Sequence, residues 1–193
     1  ISIIVFSFLF FIFSAPPLST ISGPMTLSIF TGSLVIPQIS SIGGSLTVSG
    51  SNLPALSFPM LYQVQNNVDF SDNSLLSLSF GSLTFVGGYF NLTRCSFPAT
   101  TVGIYVPLLV NATSDVIVTG ISPPQGATVV LDFSSLQTVG GLLQVLDIEC
   151  YLLEFPNLLS VSGGFEVTNI GGPITYATVK APVVTIGGSL TAY

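Results

Sequence analysis

From Ala15 onward the chain returns to one pattern eight times, and this repeat constrains the fold more than any other feature. With Ala15, Ile36, Phe58, Phe80, Val106, Phe133, Phe155 and Lys180 as origins, successive units are spaced by 21, 22, 22, 26, 27, 22 and 25 residues. Three residues beyond each origin stand Leu18, Ile39, Leu61, Leu83, Leu109, Leu136, Leu158 and Val183, and six beyond stand Ile21, Ile42, Val64, Val86, Ala112, Val139, Val161 and Ile186. Offset ten (Met25, Leu46, Val68, Phe90, Val116, Leu143, Phe165, Leu190) and offset twelve (Leu27, Val48, Phe70, Leu92, Val118, Val145, Val167, Ala192) are also apolar. Between them, offset eleven reads Thr26, Thr47, Asp69, Asn91, Ile117, Gln144, Glu166 and Thr191. Apolar, polar, apolar is the signature of a strand with one buried face.

The stretches between these columns predict corners. Offset eight is Gly23, Gly44, Asn66, Gly88, Ser114, Gly141, Gly163 and Gly188, a composition that predicts a turn residue with positive φ. Proline follows the origin at Pro16, Pro37, Pro59, Pro107 and Pro156, where a fixed φ suits a bend. One unit cannot stand alone. Fixing its backbone costs about 1 to 2 kcal/mol per residue, and five or six buried aliphatics return about 1.5 to 3 kcal/mol each. Units must therefore stack, with equivalent residues in ladders about 4.8 Å apart. The expected fold is all-β: a β-helix, or β-solenoid, of about eight rungs of 21 to 27 residues spanning residues 15–193 as one domain, behind an apolar segment at residues 1–14.

The motif recurs as IPQISSIGGSLTV at 36–48, FSSLQTVGGLLQV at 133–145 and FPNLLSVSGGFEV at 155–167. It resembles the receptor L-domain-like repeat of receptor ectodomains and of fungal and protist surface and wall glycoproteins. The resemblance covers about residues 15–192 and implies a right-handed β-helix in an extracellular setting. It transfers no binding site, because no receptor-specific motif accompanies it.

Only 5% of the residues are charged, with a net charge of −6 and no histidine. Arg94 and Lys180 are the only basic residues, which removes the electrostatic basis for binding nucleic acid or anionic lipid. The absence of histidine removes triads and ordinary zinc sites, so no catalytic residue, metal ligand or cofactor site is assigned and the chain is not expected to be an enzyme. The carboxylates Asp69 and Asp72, and Asp147, Glu149 and Glu154, are expected to be solvated surface groups rather than an acid and base facing one cleft. The apolar run from Ile1 to Phe13 is too short to span a bilayer. Cys95 and Cys150 fall two rungs apart, about 9.6 Å, which favours separate thiols or intermolecular pairing over an internal bridge.

These features point to a structural extracellular or cell-surface glycoprotein, secreted, and to the subunit of a self-assembling filament or matrix. The alternative is a recognition module of a receptor or adhesin that binds protein or carbohydrate. Two sequons, Asn91-Leu92-Thr93 and Asn111-Ala112-Thr113, are the expected glycan sites, and sugar would solvate a surface with so few charges. Asn91 falls on the outward offset eleven; Asn111 falls in a long unit where a corner can protrude. Residues 1–14 read either as the apolar core of a signal peptide or as a strand, since Ile3 and Val5 occupy offsets ten and twelve of a preceding unit. No polar cap is visible, so the solenoid is expected to form a homo-oligomer through its ends. Ile1, Ile3, Val5, Phe6, Phe8, Phe10 and Tyr193 are the assembly residues.

Overall fold

In a computed structural model of the chain, the apolar columns become the inward sides of three long parallel sheets, beside a fourth of two strands that pairs Asn52–Leu53 with Ser74–Leu75. The structure describes residues 3–6, 19–29, 31–32, 34–98, 101–122, 128–149, 152–171, 185–186 and 190–192. All regular structure among them is β, every strand pairing is parallel, and no helix is long and apolar enough to cross a membrane.

The first sheet has nine strands, from Ile3–Phe6 through Met25–Ser28, Leu46–Ser49, Val68–Ser71, Phe90–Thr93, Val116–Ile121, Leu143–Glu149 and Phe165–Gly171 to Leu190–Ala192. Its register is that of the sequence columns: Met25 pairs with Leu46, Leu46 with Val68, Val68 with Phe90, and so on to Phe165 with Leu190. The second sheet stacks eight two-residue strands through Ile21, Ile42, Val64, Val86, Ala112, Val139, Val161 and Ile186. The third runs through Leu34, Leu56, Leu78, Ile104, Leu131 and Leu153, so about six turns pass through all three sheets. This is a parallel β-solenoid.

Two kinds of corner close each turn. At the origin column, the N–H groups of Leu61, Leu109, Leu136 and Leu158 donate to the carbonyls of Phe58, Val106, Phe133 and Phe155 at 3.1–3.4 Å. Each is a four-residue β-turn, and Pro59, Pro107 and Pro156 stand at its second position, where their fixed φ is already correct. The glycine corner differs from the sequence expectation. Gly44, Gly88, Gly141 and Gly163 are absent from the described residues with positive φ; what excludes a side chain is the preceding rung. A Cβ on Gly43 would lie 2.5 Å from the Ser22 carbonyl oxygen, and one on Gly87 or Gly140 would overlap the carbonyls of Gln65 or Thr113. The glycines are there because backbones stack closely at this edge.

The interior is continuous. Phe58 and Phe80 stack at the origin corner with centroids 5.4 Å apart, Phe133 and Phe155 stack at 6.2 Å, and rings from the first sheet meet them edge-on. Val106 is the one aliphatic between these pairs, and Phe90 reaches Phe133 edge-on at 5.6 Å. Such edge-to-face pairs contribute roughly 0.5–1.5 kcal/mol each beyond burial.

Candidate functional site

The corner that follows the first sheet carries the densest polar chemistry among the described residues. Ile29, Gly50, Asp72, Arg94, Gly120 and Asp147, fourteen residues beyond successive origins, all adopt a left-handed conformation with φ between 49° and 62°. This column was not recognised in the sequence. Its signal is present, since four of the six are Gly or Asp, the residues for which this conformation is least costly or most often observed. The sharp bend turns the next residue inward, and Ser51, Asn73, Cys95, Ile121 and Ile148 are all buried beneath it.

Three of these inward residues form a polar cluster. Asn73 Oδ1 accepts from the Ser51 N–H at 3.0 Å, and Asn73 Nδ2 donates to the Val48 carbonyl at 2.9 Å. The Cys95 thiol lies 3.5 Å from the Thr93 carbonyl and 4.0 Å from Asn73 Nδ2. It is free, and burial pushes its pKa up to about 11, so it stays a protonated, unreactive thiol at neutral pH. Cys150 lies outside the described residues.

On the surface above, Arg94 grips Asp72 with two parallel hydrogen bonds, Nε to Oδ1 at 2.7 Å and Nη2 to Oδ2 at 2.8 Å. The Arg94 hydrogen bond holds the Asp72 carboxyl below its ordinary range, and Asp72 in turn raises Arg94. Both side chains are well exposed. With Gly50, Ser51, Asn52, Asn73, Ser74 and Ser96 they line an open depression of about 440 Å³. Its chemistry is that of a hydroxyl- and amide-lined surface whose guanidinium is already paired.

The outward face of the first sheet holds the first sequon. Asn91 Nδ2 donates to Asp69 Oδ1 at 2.9 Å on the preceding rung, while Asn91 Oδ1 is sealed from solvent without a hydrogen-bond partner. Further along, Gln144 Nε2 donates to Glu166 Oε2 at 2.7 Å. Asp69 and Asp72, three residues apart in sequence, are thus engaged by different groups. Asp147 occupies a left-handed corner; Glu149 and Glu154 lie in strands whose side chains at those positions fall outside the description. No group of three His, Cys, Asp or Glu side chains able to hold a metal occurs among the described residues.

Asn111 is not on a protruding corner. It lies in the two-residue strand Asn111–Ala112 of the second sheet, in line between Phe85 and Thr138, because the extra residues of its unit fall elsewhere in the rung. Of the assembly residues, Ile3, Val5 and Phe6 lie in a strand pairing residue for residue with Met25, Leu27 and Ser28 of the same chain. Ile1, Phe8, Phe10 and Tyr193 lie outside the described residues. Compared with known proteins, the chain matches no family model, no curated protein and no solved structure.

Proposed function

We propose that this solenoid is a structural module of a secreted or cell-surface glycoprotein and that copies of it join end to end. One observation carries the reading. The nine strands of the first sheet, from Ile3–Phe6 to Leu190–Ala192, are all parallel and keep one register from rung to rung. A stack of parallel strands in one register is a template that a further copy can extend, and head-to-tail contact of this kind propagates. The resemblance to the receptor L-domain-like repeat, with its surface and wall glycoproteins, points to the same setting.

The register supplies the test. In a head-to-tail joint the column of Ile4, Thr26 and Thr47 would continue the column of Glu166 and Thr191, placing Thr191 of one copy beside Ile4 of the next, about 4.8 Å away. Like charges directly opposite across a strand pair are destabilising and opposite ones are not. The wild-type chain is expected to form particles that lengthen with concentration at constant width. Ile4→Lys with Thr191→Lys should abolish them, and Ile4→Lys with Thr191→Glu should restore them, as read by sedimentation and negative-stain microscopy. A wild-type monomer at every concentration, or equal assembly of both double variants, overturns the reading.

A second reading, a recognition module of a receptor or adhesin binding protein or carbohydrate, is favoured by Met60, Tyr62, Leu108 and Leu159. These large apolar side chains are exposed along the turn edge that leads into the second sheet. A chain that stays monomeric and is retained on immobilised glycans through Tyr62 would establish it instead.

A further inference from the structure

The two sequons present different surroundings for a sugar. Attachment forms a bond between Asn Nδ2 and the anomeric carbon of the sugar. The bond from that carbon to a pyrophosphoryl-lipid donor breaks, the lipid diphosphate leaves with the electron pair, and one amide proton is released. The product is a planar secondary amide that keeps the sugar carbon trans to Cβ, hence on the same side as Oδ1. Space beside Oδ1 therefore decides whether the folded chain can carry the sugar.

At Asn91 that space is closed. Its Oδ1 is sealed from solvent, its Nδ2 is held by Asp69 at 2.9 Å, and the sequon's Leu92 and Thr93 are both buried. At Asn111 the amide is not engaged in this way. The residue is half-buried, its side-chain amide makes no hydrogen bond among the described residues, and Thr113 is exposed with its hydroxyl on the Gly87 carbonyl at 2.6 Å. The strands on either side place Phe85 and Thr138 in line with Asn111.

We propose that Asn111 carries the N-linked glycan of the folded protein and that Asn91, despite an intact sequon, does not. The inference rests on the secreted-glycoprotein reading. Asn91 serves instead as a rung-to-rung link to Asp69, and a chain glycosylated there before folding cannot close the first sheet over that amide.

The test is site occupancy in the full chain expressed in a eukaryotic secretory host. The secreted protein is treated with peptide N-glycosidase in heavy-oxygen water, which converts each formerly glycosylated Asn to isotopically labelled Asp, and the peptides holding residues 91 and 111 are read by mass spectrometry. If the chain is retained in the cell, its protease-resistant folded fraction is read in the same way. Label is expected at residue 111 and not at 91, with the glycan mass lost in Asn111→Gln and kept in Asn91→Gln. Label at residue 91, or glycan surviving in Asn111→Gln, overturns the site assignment while leaving the glycoprotein reading intact. Label at neither residue overturns both.

Discussion

One column of the solenoid is built in two ways. Beneath the left-handed corner, the rungs up to Phe90–Thr93 place Ser51, Asn73 and Cys95, whereas the rungs from Val116 onward place Ile121 and Ile148. The strands change at the same point. Leu46–Ser49, Val68–Ser71 and Phe90–Thr93 stop at the corner after four residues, while Val116–Ile121 and Leu143–Glu149 run through it for six and seven. In the second group Ile121 pairs with Ile148 and Ile148 with Ile170, so the backbone beyond the bend stays in the ladder. In the first, the ladder is interrupted at the bend and resumes where Asn52–Leu53 pairs with Ser74–Leu75: the Ser51 and Asn73 carbonyls accept from the Ser74 and Ser96 N–H groups, while the Ser51 N–H is bonded by the Asn73 side chain. Buried backbone groups need partners whatever the rung's sequence, and a corner obtains them either from a side chain or from an extended ladder. Where the ladder supplies them, an aliphatic is sufficient beneath the bend.

Removing the side-chain solution is expected to have the largest effect. Asn73→Ala leaves the Ser51 N–H buried without its acceptor and opens a void in a residue that is 2% exposed. A stability loss of about 2–4 kcal/mol is expected from chemical denaturation. Ile121→Val, at the equivalent position of the other group, removes one methylene and should cost about 0.5–1.5 kcal/mol. If the second loss equals or exceeds the first, Asn73 is not holding its corner.

The next effect separates the groups by pH. Cys95 is the titrating member of the polar cluster, and burial raises its pKa to about 11 from a value near 9. The native state therefore keeps a proton that the unfolded chain has already released. The stability this represents is complete below about pH 9 and is lost as pH rises through about 11, a change of about 2–3 kcal/mol. The isoleucine corners have no counterpart. Subtracting the alkaline stability profile of Cys95→Ala from that of the wild type isolates the contribution, and identical slopes for the two proteins would show that the thiol does not titrate with unfolding.

The register of the solenoid and the proline bend at the origin column were legible in the sequence and the other two corners were not, for a physical reason. Apolar columns report burial directly, and burial requires equivalent positions to stack, so pairings such as Leu46 with Val68 and Gln144 with Glu166 could be read from spacing alone. Composition does not report why a residue is small. Gly44 and Gly88 suggested positive φ, yet they answer to the rung beneath, Gly44 to its backbone and Gly88 to the Asn67 side chain, while the true left-handed column mixes Ile29 and Arg94 with Gly50 and Gly120. Asn91 and Asn111 were equal as sequons because their difference lies in neighbours 22 to 27 residues away.

Ile29 tests how strictly the bend itself is imposed. It is a β-branched residue at φ 53°, 62% exposed, in a column whose geometry is shared by both groups of rungs. A left-handed L-residue costs roughly 1–2 kcal/mol, and the added freedom of glycine in the unfolded chain takes back part of the gain. Ile29→Gly should therefore stabilise by about 0.5–1 kcal/mol, whereas Gly120→Ala should destabilise by a similar amount. A neutral result for both would mean that the bend relaxes freely and that the column is not a constraint on sequence.

The smallest effect expected is from the most conspicuous contact. Arg94 and Asp72 meet in bidentate geometry, but at side-chain exposures of 67% and 55% solvent screens them, and holding two long side chains in one arrangement costs entropy. The Asp72 pKa is depressed in the folded state, so whatever the pair contributes is present above the ordinary carboxylate range and disappears as pH falls through the folded value. Arg94→Gln, Asp72→Asn and the double variant are accordingly expected to show coupling within the error of denaturation curves, and acid limbs that overlay the wild type. The corner is held from beneath by Asn73, and the pair above it is free to open. A coupling that persists at high salt would reverse that assignment: the depression lined by Asn52, Ser74 and Ser96 would then be a surface ordered by its ion pair, and the polar group of rungs would be the place to look for a ligand.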